Sequence, residues 1–191
     1  KYETPLLGGD TTKSLQKLVI NVCVMGRIAK GMARKRSDAR PGDIICVTGS
    51  LGDSAAGLKL LLEDKHESQI SENPLIKWHN QPEPAVNEGI WLAKQSGVRA
   101  MMDVSDGVAS DLKHILKASK TGAVIDIEKL PLSHELIKTS DQYHWDPVKL
   151  ALSGGEDYRL LITIDAQEFE NISDRYKDYF ASPLSPIGII Q

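Results

Sequence analysis

Three short motifs of the chain combine carboxylates with glycine or small hydroxyl residues. They are GGDTT at 8–12, DVSDG at 103–107 with Asp111 soon after it, and SGGEDY at 153–158. Glycine lets the backbone approach a ligand closely and leaves N–H groups free to donate. Aspartate oxygens are hard ligands that suit Mg²⁺, an ion that commonly bridges to phosphates. The first two motifs are therefore candidates for a metal and phosphate site.

The DVSDG motif suits the junction between a strand and a helix. We expect the strand to end near Asp103 and the helix to begin near Ser105 or Asp106. Asp103 and Asp106 would then lie at the carboxyl edge of a sheet, where ligand sites tend to form. Two carboxylates so close together repel each other, and a bound divalent cation would remove the repulsion. Ser105 and Asp106 also suit an ordinary helix N-terminus, so capping and metal binding both stay open.

The remaining motifs also have plain structural explanations. GGDTT suits a simple turn, which its residue types favour, and GGED suits a tight turn that leads into a strand at Tyr158. The loop TGSLGDSAAG at 48–57 lacks the GK[ST] ending of a phosphate-binding P-loop. Helix capping and close packing explain that loop. The five histidines show no metal-ligand spacing, and the sequence contains no GxSxG nucleophile motif.

Apolar patterns predict the elements that must position these motifs. β-Branched runs predict strands near 15–25, 43–48, 99–104, 123–128, 158–164 and 186–190. Helical periodicity predicts a helix within 49–64 that Asp53 or Ser54 can cap. It also predicts helices near 74–78, 84–95, 106–119 and 167–179, with two short ones within 133–152. Residues 64–73 are polar and indicate a loop. Because strands alternate with helices, the predicted fold class is α+β, close to α/β, with a mixed β-sheet flanked by helices.

Composition limits the kind of protein this chain can be. Of its 191 residues, 41% are hydrophobic and 26% are charged, as in ordinary globular domains. Lys and Arg number 23 against 26 Asp and Glu, and this net charge of −3 argues against a nucleic-acid partner. No apolar run approaches the roughly 20 residues of a membrane helix, so we expect no membrane partner. Cys23 and Cys46 lie in apolar runs, which predicts buried, reduced cysteines and a cytoplasmic location.

Taken in order, the motifs resemble the thiamine-monophosphate kinase family. The matching stretches are GGDTT (8–12), RSDARPGD (36–43), VTGSLGDSAAGL (47–58), HNQPEP (79–84), DVSDGVASDL (103–112), LSGGEDYRLL (152–161) and PIGII (186–190). GGD is shared with the wider superfamily of aminoimidazole-ribonucleotide synthetase, whereas GGEDY and the ordered set are more specific. The resemblance implies a fold like the C-terminal domain of that superfamily. It also implies ATP-dependent phosphorylation of thiamine monophosphate to thiamine diphosphate, a step of thiamine biosynthesis, by a homodimer.

The resemblance implies a role for individual residues as well. The implied nucleotide ligands are Gly9, Asp10, Arg36 and Ser105, with Arg36 on the ATP phosphates. The implied Mg²⁺ ligands are Asp10, Asp103 and Asp106. Glu156 would face the thiamine substrate. Because the acceptor is already a phosphate, such a transfer needs no general base, and metal ions and arginine would neutralise the charge and align the groups.

The chain also departs from the family pattern. Only fourteen residues precede the first predicted strand, where family members carry an ATP-binding domain, and the usual Pro-x-Pro-Arg reads PEPA at 82–85. We therefore expect residues 1–14 to be a remnant of the N-terminal ATP-binding domain and 15–191 to form a C-terminal α/β domain that is inactive by itself. The alternatives are another ATP-using enzyme of the superfamily, such as a selenophosphate synthetase, or a non-catalytic dimerisation module.

Overall fold

The chain folds into a layer of strands that carries helices on both faces. The computed structural model describes residues 4–63 and 72–191. The strands are β1 (Ile44–Thr48), β2 (Val98–Asp103), β3 (Ala123–Ile125), β4 (Leu160–Ile164) and β5 (Leu184–Ile190). The α-helices are α1 (Asp53–Leu62), α2 (Pro74–Asn80), α3 (Val86–Ala93), α4 (Val108–Ser119), α5 (His134–Tyr143), α6 (Pro147–Ser153) and α7 (Phe169–Phe180). The loop predicted at 64–73 lies largely outside the described residues.

The five strands form a sheet in the order β2-β4-β1-β5-β3. In the central strand β1, Ile44 pairs with Ile164 of β4 on one side and with Ile189 of β5 on the other. The predicted α+β class, with a sheet flanked by helices, is confirmed. The expected mixture of parallel and antiparallel pairs is wrong, because all four pairings are antiparallel. The reason is that β4 lies between β1 and β2 and runs opposite to both, so these two strands are not neighbours.

Alternating side chains of β1 contribute to two apolar cores. Ile45 and Val47 pack with α4 and α6 on one face of the sheet, whereas Cys46 packs with α3 and α7 on the other. Successive side chains of a strand point to opposite faces, so a strand covered on both faces must be apolar throughout. Cys46 is buried and free, as predicted, and its burial raises the pKa of the thiol. A third apolar cluster joins α1, α2 and α5 beside the sheet.

Residues 15–25 do not form the predicted strand. They make no strand pairing, and their apolar side chains are exposed, including Leu15 at 90% and Val22 at 79%. A β-branched run forms a strand only where a neighbour supplies hydrogen bonds and apolar cover. Within the described ranges no strand lies beside this segment. Cys23, which was predicted to be buried, is exposed for the same reason.

Arg99 ties three strand ends together at the edge of the sheet opposite Asp103. Its Nε donates to Asp43 Oδ1 at 2.9 Å, and its Nη2 donates to Asp165 Oδ2. Asp43 precedes β1, Asp165 follows β4, and the Asp43 carboxylate is only 3% exposed. Burial raises the pKa of Asp43, and the Arg99 guanidinium acts against that rise. One arginine therefore compensates two carboxylates that would otherwise repel each other.

We predict that Arg99→Met lowers the free energy of unfolding by about 2–4 kcal/mol, because it leaves Asp43 buried without its cation. Urea unfolding followed by circular dichroism would measure the loss. Lys113→Met, which removes an exposed positive charge from α4, is the matched control. Adding Asp43→Asn to Arg99→Met should recover part of the stability, and a loss no greater than that of the control would contradict the role given to Arg99.

Candidate active site

Three loops meet at the edge of the sheet where β2 ends and β4 begins, and two of them carry the DVSDG and SGGEDY motifs. We name them the glycine loop (49–54), the aspartate loop (103–107) and the glutamate loop (153–158). The glutamate loop is bonded to the aspartate loop through its backbone: Glu156 N donates to Ser105 O at 2.8 Å, and Tyr158 N donates to Val104 O at 2.9 Å. The predicted strand–loop–helix junction therefore exists, although α4 begins at Val108, two residues after Asp106.

Asp157 joins the glutamate loop to the glycine loop. Its carboxylate is fully buried, and it accepts hydrogen bonds from Gly52 N at 2.7 Å and Ser54 N at 3.2 Å. Burial raises the pKa of Asp157 to about 6, although the two backbone N–H groups act in the opposite direction. The sequence analysis missed this residue, because a carboxylate beside Glu156 gives no local signal that it binds the backbone of Gly52 and Ser54, which lie 105 and 103 positions earlier in the chain.

Two glycines allow the loops to approach this closely. A Cβ on Gly155 would lie 2.4 Å from Ser105 O, which is closer than any side chain tolerates. Gly107 has φ 95° and would place a Cβ 2.9 Å from the Ser153 carbonyl carbon. Only glycine combines the left-handed conformation with the absence of a side chain at such a contact. The glycines of DVSDG and SGGEDY therefore serve the packing of one loop on the other.

The aspartate loop presents exposed carboxylates from a buried support. Asp103, the last residue of β2, and Asp106 are both exposed. Asp111 of α4 is buried, and its Oδ2 accepts hydrogen bonds at 3.0 Å from the backbone N–H groups of Ser105 and Asp106. Asp111 thus holds the aspartate loop in place, whereas the N-cap of α4 is Gly107 and no side chain caps the helix, so Asp106 is left available for a ligand.

A possible set of metal ligands lies around Asp106. One ligand atom each of Asp106, Asp111 and His114 lies within 4.8 Å of the others. Asp103 is not part of this group, so sharing of one ion by Asp103 and Asp106 stays a prediction. His114 stands three residues after Asp111 on α4, a helical spacing that the sequence analysis did not connect to the motif.

Glu156 lies at the rim of the site in an unusual backbone conformation. Glu156 has φ 64° and Tyr158 has φ 50°, both in the left-handed region that residues with side chains seldom adopt. The Glu156 carboxylate is 56% exposed and lies 3.7 Å from His79 Nδ1 at the end of α2. Strain of this kind persists only where the surroundings enforce it, and it concentrates at functional sites.

The structure does not bring the other implied ligands to these loops. Gly9 and Asp10 belong to the exposed segment 4–31, where Asp10 accepts a hydrogen bond from the adjacent Thr11 N at 2.8 Å. Arg36 is exposed, and its carbonyl accepts from the Ser119 hydroxyl at the C-terminal end of α4. Because α4 has 12 residues, Arg36 and Asp106 lie at opposite ends of a helix about 18 Å long.

An apolar cavity of about 640 Å³ opens beside the aspartate loop. Val86 and Ile90 of α3, Met101 of β2 and Met32 line its walls, and Asp103 lies on its border. Cavities of this size and character commonly hold small organic ligands. The cavity adjoins a predicted metal ligand, so it belongs to the same candidate site.

The sequence of the chain matches a protein-family model over most of its length. The model of the AIR synthase related protein, C-terminal domain, matches residues 40–189. The chain belongs to this family. The match includes the glycine, aspartate and glutamate loops and all five strands except the last residue of β5.

Individual relatives agree with this assignment. The chain is 39% identical over 193 residues to a thiamine-monophosphate kinase of Bacillus subtilis, a match that covers 100% of this chain and 57% of the relative. The structure of AaThiL complexed with AMPPCP and TMP gives a TM-score of 0.70 at 37% identity, covering 82% of this chain and 47% of that one. The thiamine-monophosphate kinase structure from Stenotrophomonas maltophilia gives 0.75 at 32% identity, covering 85% and 52%. The chain thus spans about half the length of the relatives it matches.

Within residues 4–63 and 72–191, no helix is long and apolar enough to cross a bilayer.

We predict that Asp157 makes stability depend on pH in a defined direction. Its pKa in the folded chain is about 6, above the ordinary value of 3.8, so the stability it contributes is full below pH 4 and is lost as pH rises through 6. Relative to wild type, the free energy of unfolding of Asp157→Asn should therefore increase by about 2–3 kcal/mol between pH 4 and pH 7.

Urea unfolding of both proteins at several pH values would measure this difference. Asp178→Asn, which removes an exposed carboxylate from α7, controls for the general loss of one negative charge. A difference between Asp157→Asn and wild type that stays constant from pH 4 to pH 7 would contradict the raised pKa.

Proposed function

We propose that the protein that contains this chain transfers a phosphoryl group from ATP to thiamine monophosphate, giving ADP and thiamine diphosphate. The observation that carries the proposal is the bonding of the aspartate loop to the glutamate loop. It places Asp106, a candidate metal ligand, and Glu156, a candidate substrate ligand, on two adjacent loops at one edge of the sheet. Proteins similar to this chain include thiamine-monophosphate kinases, and a similar solved structure is AaThiL complexed with AMPPCP and TMP.

The exposed carboxylates of the aspartate loop fit Mg²⁺. Asp103 and Asp106 would hold the ion, together with Asp10 from the N-terminal segment. One potential ligand atom each of Asp111 and His114 lies within 4.8 Å of a carboxylate oxygen of Asp106. Bound Mg²⁺ would neutralise phosphate charge during the transfer.

The chain's own residues would bind and orient the two substrates. An ionised oxygen of thiamine monophosphate attacks the γ-phosphorus of ATP, the bond to the β-phosphate oxygen breaks, and ADP leaves. Gly9 and Ser105 would lie near the nucleotide. Arg36, the implied ligand of the ATP phosphates, lies at the other end of α4 from Asp106, so it would reach those phosphates only from the second protomer of the proposed homodimer. Glu156 would face the thiamine moiety, whose cationic ring suits a carboxylate. Because the attacking oxygen carries no proton near neutral pH, we assign no general base.

The broader setting is also part of the proposal. We propose a cytoplasmic homodimeric kinase of thiamine diphosphate biosynthesis, with residues 1–14 belonging to an N-terminal ATP-binding domain and 15–191 to this domain. The apolar side chains of 15–25 are exposed in this chain. So many apolar groups seldom stay in water, which favours another surface of the complete protein that covers them.

We predict that Asp106→Asn in the complete protein lowers kcat at least 100-fold, since removal of one charge-stabilising group costs about 10²–10³ in rate. The free energy of unfolding should change little, because Asp106 is exposed. The assay measures ADP release with Mg²⁺, ATP and thiamine monophosphate, and Asp178→Asn is the control.

The same assay separates the alternatives. ATP consumption that depends on selenide rather than on thiamine monophosphate, with AMP as the nucleotide product, would indicate a selenophosphate synthetase. No substrate-dependent release by the complete protein would indicate a non-catalytic module. Either result would overturn the proposed function.

A further inference from the structure

The last turn of α2 contacts the glutamate loop and also the residue that follows it. His79 Nδ1 lies 3.7 Å from Glu156 Oε2, within ion-pair distance but beyond hydrogen-bond length. The ring of the preceding Trp78 lies 4.0 Å from the guanidinium carbon of Arg159, which directly follows the loop. Two successive side chains of one helix therefore contact the two ends of the short segment 156–159.

The ring nitrogen of His79 that faces Glu156 also contacts a buried hydroxyl group. Ser54 Oγ lies 3.0 Å from the same Nδ1 atom, and Ser54 is only 1% exposed. The backbone N–H of Ser54 in turn donates to Asp157. The His79 ring is 17% exposed against 56% for Glu156. A mostly buried ring thus faces a mostly exposed carboxylate, and its own position is fixed by the contact with Ser54.

The helix that carries His79 is itself closely seated. Gly57 of α1 approaches α2 so closely that a Cβ there would lie 2.1 Å from Leu75 O. Asn73 caps the start of α2 through its side chain, which accepts from Leu75 N at 3.0 Å. A short helix fixed at both its start and its flank can hold a side chain at its end in one place.

The contact with the ring limits where the Glu156 carboxylate can lie. Nδ1 is within hydrogen-bond distance of Ser54 Oγ and 3.7 Å from Glu156 Oε2, so the ring edge that Ser54 holds is the edge that faces the carboxylate. Without such a partner, an exposed glutamate side chain would sample several rotamers and lose entropy when it binds a ligand.

We propose that His79 is a positioning residue that orients the Glu156 carboxylate toward the thiamine moiety of the substrate. This inference rests on the proposed function, and it adds a residue on α2 to a site otherwise built from loops. His79 does not touch the reacting phosphates. Its loss should therefore weaken the binding of thiamine monophosphate and leave the binding of ATP and the chemical step intact.

The test compares His79→Leu with His79→Asn in the complete protein. Leucine removes Nδ1 and its polar contacts. The side-chain amide of asparagine would lie near the position of Nδ1 and can replace those contacts. We expect His79→Leu to raise the KM for thiamine monophosphate at least fivefold, with kcat and the KM for ATP within twofold of wild type. His79→Asn should restore most of the loss, and His134→Leu on α5 is the matched control.

Further variants separate this inference from the proposed function. Glu156→Gln should raise the KM for thiamine monophosphate, and adding His79→Leu should then have little further effect, because the residue to be positioned has already been lost. If Glu156→Gln leaves that KM unchanged, the substrate role of Glu156 in the proposed function is wrong, and the inference fails with it.

If Glu156→Gln raises the KM but His79→Leu does not, the positioning role alone is wrong. Equal losses from His79→Leu and His79→Asn, with parallel losses of thermal stability, would show a structural role and overturn the proposal. If the KM of the double variant rises by the product of the two single effects, the two residues act independently, and this result would also overturn the proposal.

Discussion

The buried carboxylate of Asp157 accepts backbone N–H groups of Gly52 and Ser54, and much of the site depends on that contact. It fixes the glycine loop against the glutamate loop, which is bonded in turn to the aspartate loop. A buried carboxylate is costly unless its oxygens are satisfied, so this contact can hold only one arrangement of the three loops. Glu156, which precedes Asp157 in the glutamate loop, has a left-handed φ of 64°.

Buried and exposed acids have different tasks in this site. Asp157 and Asp111 are buried and bind backbone N–H groups, which shapes the loops. Asp103, Asp106 and Glu156 are exposed and remain available to ligands. A motif such as DVSDG or GGEDY is therefore acidic for two reasons at once, since one set of carboxylates builds the support and another presents the charge.

The sequence predicted the parts of the structure that local patterns determine. Four of the predicted strands pair with neighbouring strands and formed close to their expected bounds. The strand predicted at 123–128 ended at Ile125, because Asp126 begins a turn in which its side chain accepts a hydrogen bond from Glu128 N. Residues 15–25 carry an equally strong pattern, but no described strand pairs with them. The antiparallel sheet and the role of Asp157 could not be predicted, because each depends on contacts between residues about a hundred positions apart.

Amide hydrogen exchange would test most directly whether the three loops form one cooperative unit. In the wild-type chain, the amides of Gly52, Ser54, Glu156 and Tyr158 should exchange slowly and with similar protection. Gly155→Ala, which forces a Cβ against Ser105 O, should reduce protection at all four together, whereas Gly122→Ala, whose Cβ would meet only Gln191 at 3.8 Å, should not. Loss of protection at Glu156 and Tyr158 alone, with Gly52 and Ser54 unchanged, would show that the loops are independent and would contradict this account.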